Sequence, residues 1–180
     1  MAQFKALAMG VEVNGETVLS VIDAMGIFKS QAITILEEKG IVNPMPGLWY
    51  NQQAWLDAFK YIADEIGPNT LYNIGRKIPE NAQFPPDIDT IEKALGAIDV
   101  AYHMNHRGGE IGHYSFQSTG PKSAKIICNN PYPCDFDLGI IESMAKKFKP
   151  ADSVFVMASH DASSGCRKNG GNECVYKITW

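Results

Sequence analysis

The residues in this sequence best suited to chemistry are its four cysteines, which all lie in the last third of the chain. They form two spaced pairs, Cys128 with Cys134 and Cys166 with Cys174. If the segments that carry them pack together, three or four sulfur atoms meet. Thiolates bind zinc, but these spacings are wider than those of zinc knuckles, and cysteine also serves as a small apolar core residue or forms disulfides. The spacing therefore leaves zinc, buried free thiols and disulfides open.

Two features around the cysteines bear on this choice. Cys134 follows a Pro-Tyr-Pro segment and precedes an amphipathic run, which predicts a helix N-terminus, where the helix dipole favours a thiolate. The loop over residues 163–173 contains three glycines and no large apolar side chain. Such a loop gains little from burial, so a bound metal would be the clamp that orders it and couples metal binding to folding.

A second candidate site is the segment from Tyr102 to Tyr114, which holds three of the four histidines of the chain. His103 and His106 stand three residues apart and share a face if the helix extends that far. Imidazoles in such a cluster can bind a metal ion, a haem iron or a ligand carboxylate. The alternative is a helix end whose cations complement the dipole, which we favour for His106 and Arg107. His103 and His113 are candidate pocket residues.

A third candidate lies around Tyr72. Gly75 in mid-helix costs about 1 kcal/mol relative to alanine, which indicates close packing or room for a ligand. Arg76 and Lys77 either hold an anionic group or form a solvated face. The sequence contains no G-x-S-x-G, H-E-x-x-H or phosphate-binding glycine loop, so it supports no particular catalytic activity and leaves the question of an enzyme open.

The elements that must position these residues follow from the periodicity of the apolar side chains. Helical spacing and capping signals predict five helices, bounded by Asn14 and Gly26, Ser30 and Gly40, Asn51 and Gly67, Pro68 and Pro79, and Asp87 or Asp89 and Tyr102. After Gly109 the period changes to alternation. The remaining elements are two hairpins and a helix between them, over residues 111–116, 124–128, 135–148, 154–157 and 174–180.

This order predicts an α+β fold in which N-terminal helices are followed by ββαββ. Strands in hairpins form a four-stranded antiparallel sheet, and the helices pack on it. We expect one ligand-binding domain over residues 1–180, with a mainly helical part at 1–107 and the ββαββ part with the cysteines at 108–180.

Charge and hydropathy restrict which binding partners and which cellular compartment we expect for this protein. The net charge is −4 and the basic residues are scattered, which argues against nucleic acid. No apolar run is long enough for a membrane span, and the N-terminus does not have the pattern of a secretory signal. We therefore expect a cytoplasmic protein, where clustered cysteines bind metal more often than they form disulfides.

The C-terminal part resembles the 4-vinyl reductase domain family, which shares a ligand-binding α+β fold with haem nitric-oxide-binding (H-NOX) domains and TRAPP vesicle-tethering subunits. The resemblance lies in Cys134-Asp-Phe-Asp-Leu-Gly, which leads into a helix, and in Cys166-Arg-Lys-Asn-Gly-Gly-Asn-Glu-Cys174-Val-Tyr-Lys-Ile, which enters the last strand. It covers roughly the last 50 residues, and the helices before them are compatible with it.

The resemblance implies a small-molecule or lipid-binding sensor with zinc at the cysteine cluster. Cys134, Cys166 and Cys174 would be zinc ligands, and the fourth ligand would be Cys128 or one of the acidic residues Glu173 and Asp135. The chain lacks the Tyr-x-Ser-x-Arg motif that holds the haem propionates in H-NOX domains, so haem chemistry is not implied.

The sequence thus predicts a non-catalytic sensor or carrier with an apolar pocket between helices and sheet. The ligand would be apolar or aromatic, an acyl chain or tetrapyrrole included, and the candidate pocket residues are Trp55, Phe59, Tyr72, Arg76, Tyr102, His103, His113 and Tyr114. One alternative is a haem protein or enzyme that uses His103, His106 and His113, and another is a structural interaction subunit. We also expect a homodimer formed through the N-terminal helices, with Val18, Ile22, Ile33 and Leu36 as candidate contacts.

Overall fold

Five α-helices precede the main sheet, as the helical periodicity predicted. The computed structural model describes residues 3–180. The helices are α1 (Gly15–Met25), α2 (Lys29–Glu38), α3 (Gln52–Glu65), α4 (Pro68–Asn81) and α5 (Ile91–Met104), with α6 (Cys134–Lys147) inside the strand region. The strands are β1 (Glu12–Asn14), β2 (Trp49–Asn51), β3 (His106–Arg107), β4 (Tyr114–Gly120), β5 (Ser123–Cys128), β6 (Met157–His160) and β7 (Cys174–Thr179).

Side-chain caps begin three of the helices. Asn14 and Asn51 accept hydrogen bonds from backbone N–H groups in the first turns of α1 and α3, as the sequence predicted. The cap of α5 is Thr90, however, and neither Asp87 nor Asp89. A further difference is at Pro79, which was predicted to end α4 but lies inside its last turn.

The main sheet has the predicted four antiparallel strands, in the order β4-β5-β7-β6. In its register Tyr114 lies opposite Cys128, and Cys128 lies opposite Cys174. His160 on the edge strand lies opposite Tyr176. Because side chains alternate along a strand, this register places Cys174 and Tyr176 on one face of β7. The fold class expected from the sequence, α+β with helices followed by ββαββ, is confirmed.

A second, smaller sheet was not predicted. It has the order β2-β1-β3 and joins three strands of two or three residues within the mainly helical part. Strands this short contain too few residues to show an alternating pattern.

Helix α6 packs between α4 and the sheet, and two glycines set its distance from α4. A Cβ at Gly75 would overlap the Phe136 carbonyl oxygen, and a Cβ at Gly139 would overlap the Tyr72 carbonyl oxygen. Gly75 therefore serves the close packing of two helices, one of the two roles that its position indicated.

One helical stretch, Gly15–Glu38, has the length and apolar composition of a membrane span. In the fold it is divided into α1, a 3-10 turn at Gly26–Phe28 and α2. Most of its apolar residues contribute to the core, whereas Ile27 and Phe28 in the turn are exposed. Val18, Ile22 and Leu36, three of the candidate dimer contacts, are buried within the chain. They are not available for a contact between two copies, so this choice of interface residues was wrong.

Gly75→Ala is expected to lower the free energy of unfolding by about 2 kcal/mol, because the clash of the added methyl group with α6 outweighs the gain of about 1 kcal/mol in helix propensity. The matched control is Gly96→Ala in α5, where a Cβ meets only a Phe116 ring carbon at 4.0 Å. The control should be neutral or stabilising. Urea denaturation of both variants measures the difference, and equal stabilities would contradict the packing assigned to Gly75.

Candidate functional site

Three of the four cysteine thiols meet at one point. The Cys134 Sγ lies 3.3 Å from the Sγ atoms of both Cys166 and Cys174, and the Cys166 and Cys174 sulfurs are 3.7 Å apart. In a tetrahedral site with Zn–S bonds of about 2.3 Å, the sulfurs are separated by about 3.8 Å. The triangle of sulfurs is therefore close to the size of one face of a zinc tetrahedron.

The three cysteines lie in three different kinds of local structure. Cys134 is the first residue of α6, Cys174 is the first residue of β7, and Cys166 precedes a 3-10 turn at Arg167–Asn169. The Cys166 carbonyl oxygen accepts the backbone N–H groups of Asn169 and Gly171 at 3.0 and 2.9 Å. These bonds form a tight turn in the glycine-rich loop after Cys166. The Cys166 sulfur lies beside those of Cys134 and Cys174.

The fourth potential ligand is His160, which the sequence analysis did not select. One ligand atom from each of Cys134, His160, Cys166 and Cys174 lies within 4.8 Å of the others. The His160 Nε2 is buried and has no hydrogen-bond partner among residues 3–180. A buried imidazole nitrogen without a partner is costly unless something binds its lone pair. The regular spacing His-x5-Cys-x7-Cys in the last segment was the signal that could have found it.

The structure places the other proposed fourth ligands outside this group. Cys128 is fully buried in β5, one strand away from the cluster, and burial raises the pKa of its thiol. Asp135 and Glu173 contribute no carboxylate oxygen to the group. Cys128 has instead the role of a small apolar core residue, which was one of the three alternatives for the cysteines.

Hydrogen bonds favour a thiolate within the cluster. The thiol of Cys134 and the N–H groups of Arg167 donate to the Cys174 sulfur, and together they lower the pKa of Cys174 to about 3. The pKa of Cys134 is raised, first by its hydrogen bond to Cys174 and then by burial. Metal ions bind thiolates, and these hydrogen bonds favour the thiolate form of Cys174.

A buried ion pair supports the cluster from inside. The guanidinium of Arg167 pairs with the carboxylate of Asp137, and both side chains are 0% exposed. Arg167 also donates to the Asn130 side-chain oxygen at 2.5 Å, and the Tyr114 hydroxyl donates to Asp137 at 2.5 Å. Burial raises the pKa of Asp137 to about 6, against the opposing effect of Arg167. The network ties the cysteine loop to α6 and to the first two strands of the main sheet.

The aromatic residues predicted to line a pocket form a packed core instead. Trp55, Phe59, Tyr102 and Tyr114 are all at most 6% exposed. The Phe59 ring lies 4.5 Å from the Trp55 ring and 4.8 Å from the Phe136 ring, measured between centroids. A cavity lined by Tyr102, Tyr114 and Phe136 has a volume of about 30 Å³. Pockets for drug-sized ligands measure roughly 300–1,000 Å³, so this interior holds a water molecule rather than such a ligand.

Two further candidate pocket residues, Tyr72 and Arg76, lie on α4 away from this interior. The Tyr72 hydroxyl donates to the Glu142 carboxylate on α6, and the Arg76 guanidinium carbon lies 5.9 Å from the Tyr72 ring centroid. Tyr72 therefore contributes to the contact between α4 and α6, and the Arg76 carbonyl oxygen does so as well, since it accepts the Ser143 hydroxyl at 3.1 Å.

The histidines are also arranged differently from the prediction. His106, expected at a plain helix end, is buried: its Nδ1–H donates to the Tyr102 carbonyl oxygen at 2.8 Å, and its Nε2 accepts from the Tyr132 hydroxyl at 2.6 Å. Burial lowers the pKa of His106 to about 4, so the ring is neutral at pH 7. His103 and His113, the candidate pocket residues, lie on the surface, with side chains that are 42% and 53% exposed.

A cleft adjoins the cysteine cluster on its outer side. Its volume is about 510 Å³, and its lining includes Phe4, Leu71, Pro133, Cys134, Arg167 and Lys168. The N-terminal segment forms one wall, where the Gln3 side-chain amide donates to the Cys134 sulfur at 2.9 Å. The cleft therefore gives a small molecule access to the edge of the cluster.

Comparison with known proteins identifies the fold. No family model and no curated protein matches this chain. Solved structures of H-NOX proteins do match: one from S. oneidensis has a TM-score of 0.65 at 14% identity and covers 92% of this chain and 95% of its own. One from K. algicida gives 0.62 at 11% identity, covering 92% and 95%, and one from T. Tengcongensis gives 0.61 at 14%, covering 92% and 96%.

The chain therefore has the fold of H-NOX proteins, which the sequence resemblance included. At these identities the likeness concerns the fold alone, and the narrower membership of the 4-vinyl reductase family stays a prediction. The names of several matched structures describe Fe(II) states or haem distortion, which are properties of those proteins.

The interior of this chain does not fit a haem. A porphyrin needs a planar slot of roughly several hundred Å³, whereas the cavity beside Tyr102 and His106 measures about 30 Å³. The histidine that lines this cavity is His106, and both of its ring nitrogens are already hydrogen-bonded within the chain. No step of a mechanism can be assigned to haem at this position.

Stability should fall in acid because of His106. Its pKa in the folded chain is about 4, below its ordinary value of 6.5, so the unfolded chain binds the proton first. The contribution of His106 is complete above pH 6.5 and is lost as the pH falls through the folded pKa, at a cost of about 3 kcal/mol.

Urea denaturation in buffer with a chelator, from neutral to acidic pH, measures this loss. His106→Gln should reduce the slope of stability against pH, and His103→Gln, which changes an exposed ring, should leave it unchanged. A slope that is the same in both variants and the parent protein would contradict the assignment.

Proposed function

We propose that this chain is a non-catalytic sensor or carrier module in which one zinc ion, bound by Cys134, His160, Cys166 and Cys174, orders the site for a small molecule. The observation that carries the proposal is the group of four ligand atoms within 4.8 Å, together with the buried Nε2 of His160 that lacks a partner in the described part of the chain. Three sulfurs and one imidazole are a common ligand set of structural zinc sites.

The zinc would connect three elements that are far apart in sequence. Cys134 begins α6, His160 ends the edge strand β6, and Cys174 begins β7. Arg167 would support the metal from outside the ligand set through its two N–H groups on the Cys174 sulfur. Metal binding would thus hold the last two strands against α6 and would stabilise the folded chain.

The small-molecule site that we propose is the cleft beside Cys134. Its volume of about 510 Å³ lies in the range for small-molecule pockets, whereas the core interior is filled. Phe4 and Leu71 supply apolar surface for an apolar or aromatic ligand, and Lys168 supplies a cation at the rim. A ligand in this cleft would contact the metal-bound loop. Ligand binding would therefore affect the conformation of that loop directly, as a sensor requires.

Several narrower points belong to the same proposal. We place the protein in the cytoplasm, where the thiols stay reduced, and in the 4-vinyl reductase family.

We expect a homodimer. Since most of the earlier candidate contacts are core residues, the exposed apolar side chains of Ile27 and Phe28 are the better candidates for its interface. A structural interaction subunit is the second alternative, and the same exposed patch would serve it.

Haem or tetrapyrrole binding is the first alternative function, and only the fold comparison favours it. The core packing around Phe59 and the commitment of both His106 nitrogens support a haem-free interior.

Purified protein should contain about one zinc per chain under reducing conditions. Cys166→Ser and His160→Gln should each weaken zinc binding about tenfold or more and lower the melting temperature, because each removes a direct ligand. Cys128→Ala is the matched control and should keep the metal, since Cys128 lies outside the cluster. Elemental analysis and competition with a chromophoric chelator provide the measurements.

The proposal fails if the protein contains no metal and its native thiols react freely with a thiol reagent. It is wrong about the fourth ligand if Cys128→Ala loses zinc and His160→Gln retains it.

Added haem should give no stoichiometric complex with a sharp Soret band, because the interior has neither the space nor an available imidazole. Absorption spectra with and without added haem test this directly. A Soret band that disappears in His106→Ala or His103→Ala would establish the haem alternative instead.

A further inference from the structure

A second group of potential metal ligands lies on the surface, at the junction of α5 and β4. It consists of Asp99, His103 and His113, and one ligand atom from each lies within 4.8 Å of the others. Asp99 and His103 stand four residues apart on α5, so they share a face of the helix. His113 precedes β4 and brings its ring to 5.0 Å from the His103 ring, measured between centroids.

The backbone fixes the position of His113. Its N–H donates to the Asn129 side-chain oxygen at 2.7 Å, and its carbonyl oxygen accepts the Asn129 N–H at 3.1 Å. Gly112 before it has a φ of 82°, and a Cβ there would overlap the Asn129 carbonyl oxygen. Only glycine fits this turn, so the approach of His113 to α5 is built into the fold.

The other two side chains are oriented by hydrogen bonds as well. The His103 Nδ1–H donates to the Asp99 carbonyl oxygen at 2.8 Å, which leaves the lone pair on Nε2. A metal-binding histidine is commonly held in this way by its second nitrogen. Asp99 Oδ1 accepts the Tyr114 N–H at 2.8 Å and lies 3.4 Å from the His113 Nδ1, which leaves Oδ2 for a ligand.

We propose that Asp99, His103 and His113 form an exposed binding site for a divalent transition metal ion. Two imidazoles and one carboxylate suit ions such as Zn²⁺, Ni²⁺ and Cu²⁺, and three protein ligands leave coordination positions for water or a small ligand from solvent. The site is independent of the cysteine cluster, since it shares no residue with it.

Ni²⁺ titration of the intact protein, followed by NMR of the histidine ring resonances, tests the proposal. The paramagnetic ion should broaden the His103 and His113 signals first, because broadening falls steeply with distance from the ion. The His160 signal is the reference, since that residue belongs to the cysteine cluster and should broaden early only if the ion binds there. The same broadening should persist in Cys166→Ser. Broadening that requires Cys166 would place the Ni²⁺ at the cysteine cluster and overturn the proposal.

Calorimetry with the same ion separates a chelating site from isolated surface imidazoles. His103→Gln, His113→Gln and Asp99→Asn should each weaken the binding about tenfold or more, because each removes one ligand of a chelate. Asp99→Asn keeps an oxygen that can accept the Tyr114 N–H, so it removes the charge with little change in structure. Glu92→Gln, an exposed acid on the same helix, is the control and should bind as the parent does. Affinity that is insensitive to these substitutions, or no measurable binding, would refute the site.

Discussion

The buried pair of Arg167 and Asp137 is the interaction on which the C-terminal half depends. Both side chains are fully removed from water, and removing one partner of such a pair costs about 3–5 kcal/mol, because the other charge is left buried alone. Arg167 belongs to the cysteine loop and Asp137 belongs to α6, so the pair defines where the loop must lie. The Cys174 sulfur takes two N–H groups from Arg167, and the geometry of the thiol cluster follows from the same contact.

The close contact of α4 and α6 helps to fill the interior of this chain. Gly75 and Gly139 let the two helix backbones approach, and Phe136 on α6 then reaches the ring of Phe59. Aromatic packing of this kind is stable without a ligand, because large apolar surfaces leave water when the rings meet.

Hydrogen bonds connect the two groups of potential metal ligands through the sheet. Asp99 accepts the N–H of Tyr114, whose hydroxyl donates to Asp137, and Asp137 pairs with Arg167 beside Cys174. Each residue in this series bonds to the next one. These bonds fix the positions of the start of β4, the first turn of α6 and the cysteine loop relative to one another. These hydrogen bonds, together with the apolar core, therefore stabilise the structure of this region.

The sequence by itself determined the order of elements and the α+β class, because helix periodicity, strand alternation and caps such as Asn14 and Asn51 are local properties. It predicted that three or four sulfurs meet only if the segments that carry them pack together. Only the tertiary structure decided the fourth member of the cluster. Pairing of β6 with β7 brings His160 to the thiols, whereas Cys128 lies on β5, outside the cluster, and strand order is not a local property. The same holds for the histidines. His103 is a surface residue on α5, whereas α5 ends at Met104 and His106 lies in β3, where its buried ring bonds to Tyr102 and Tyr132. The spacing of two histidines does not reveal whether the helix extends to the second one.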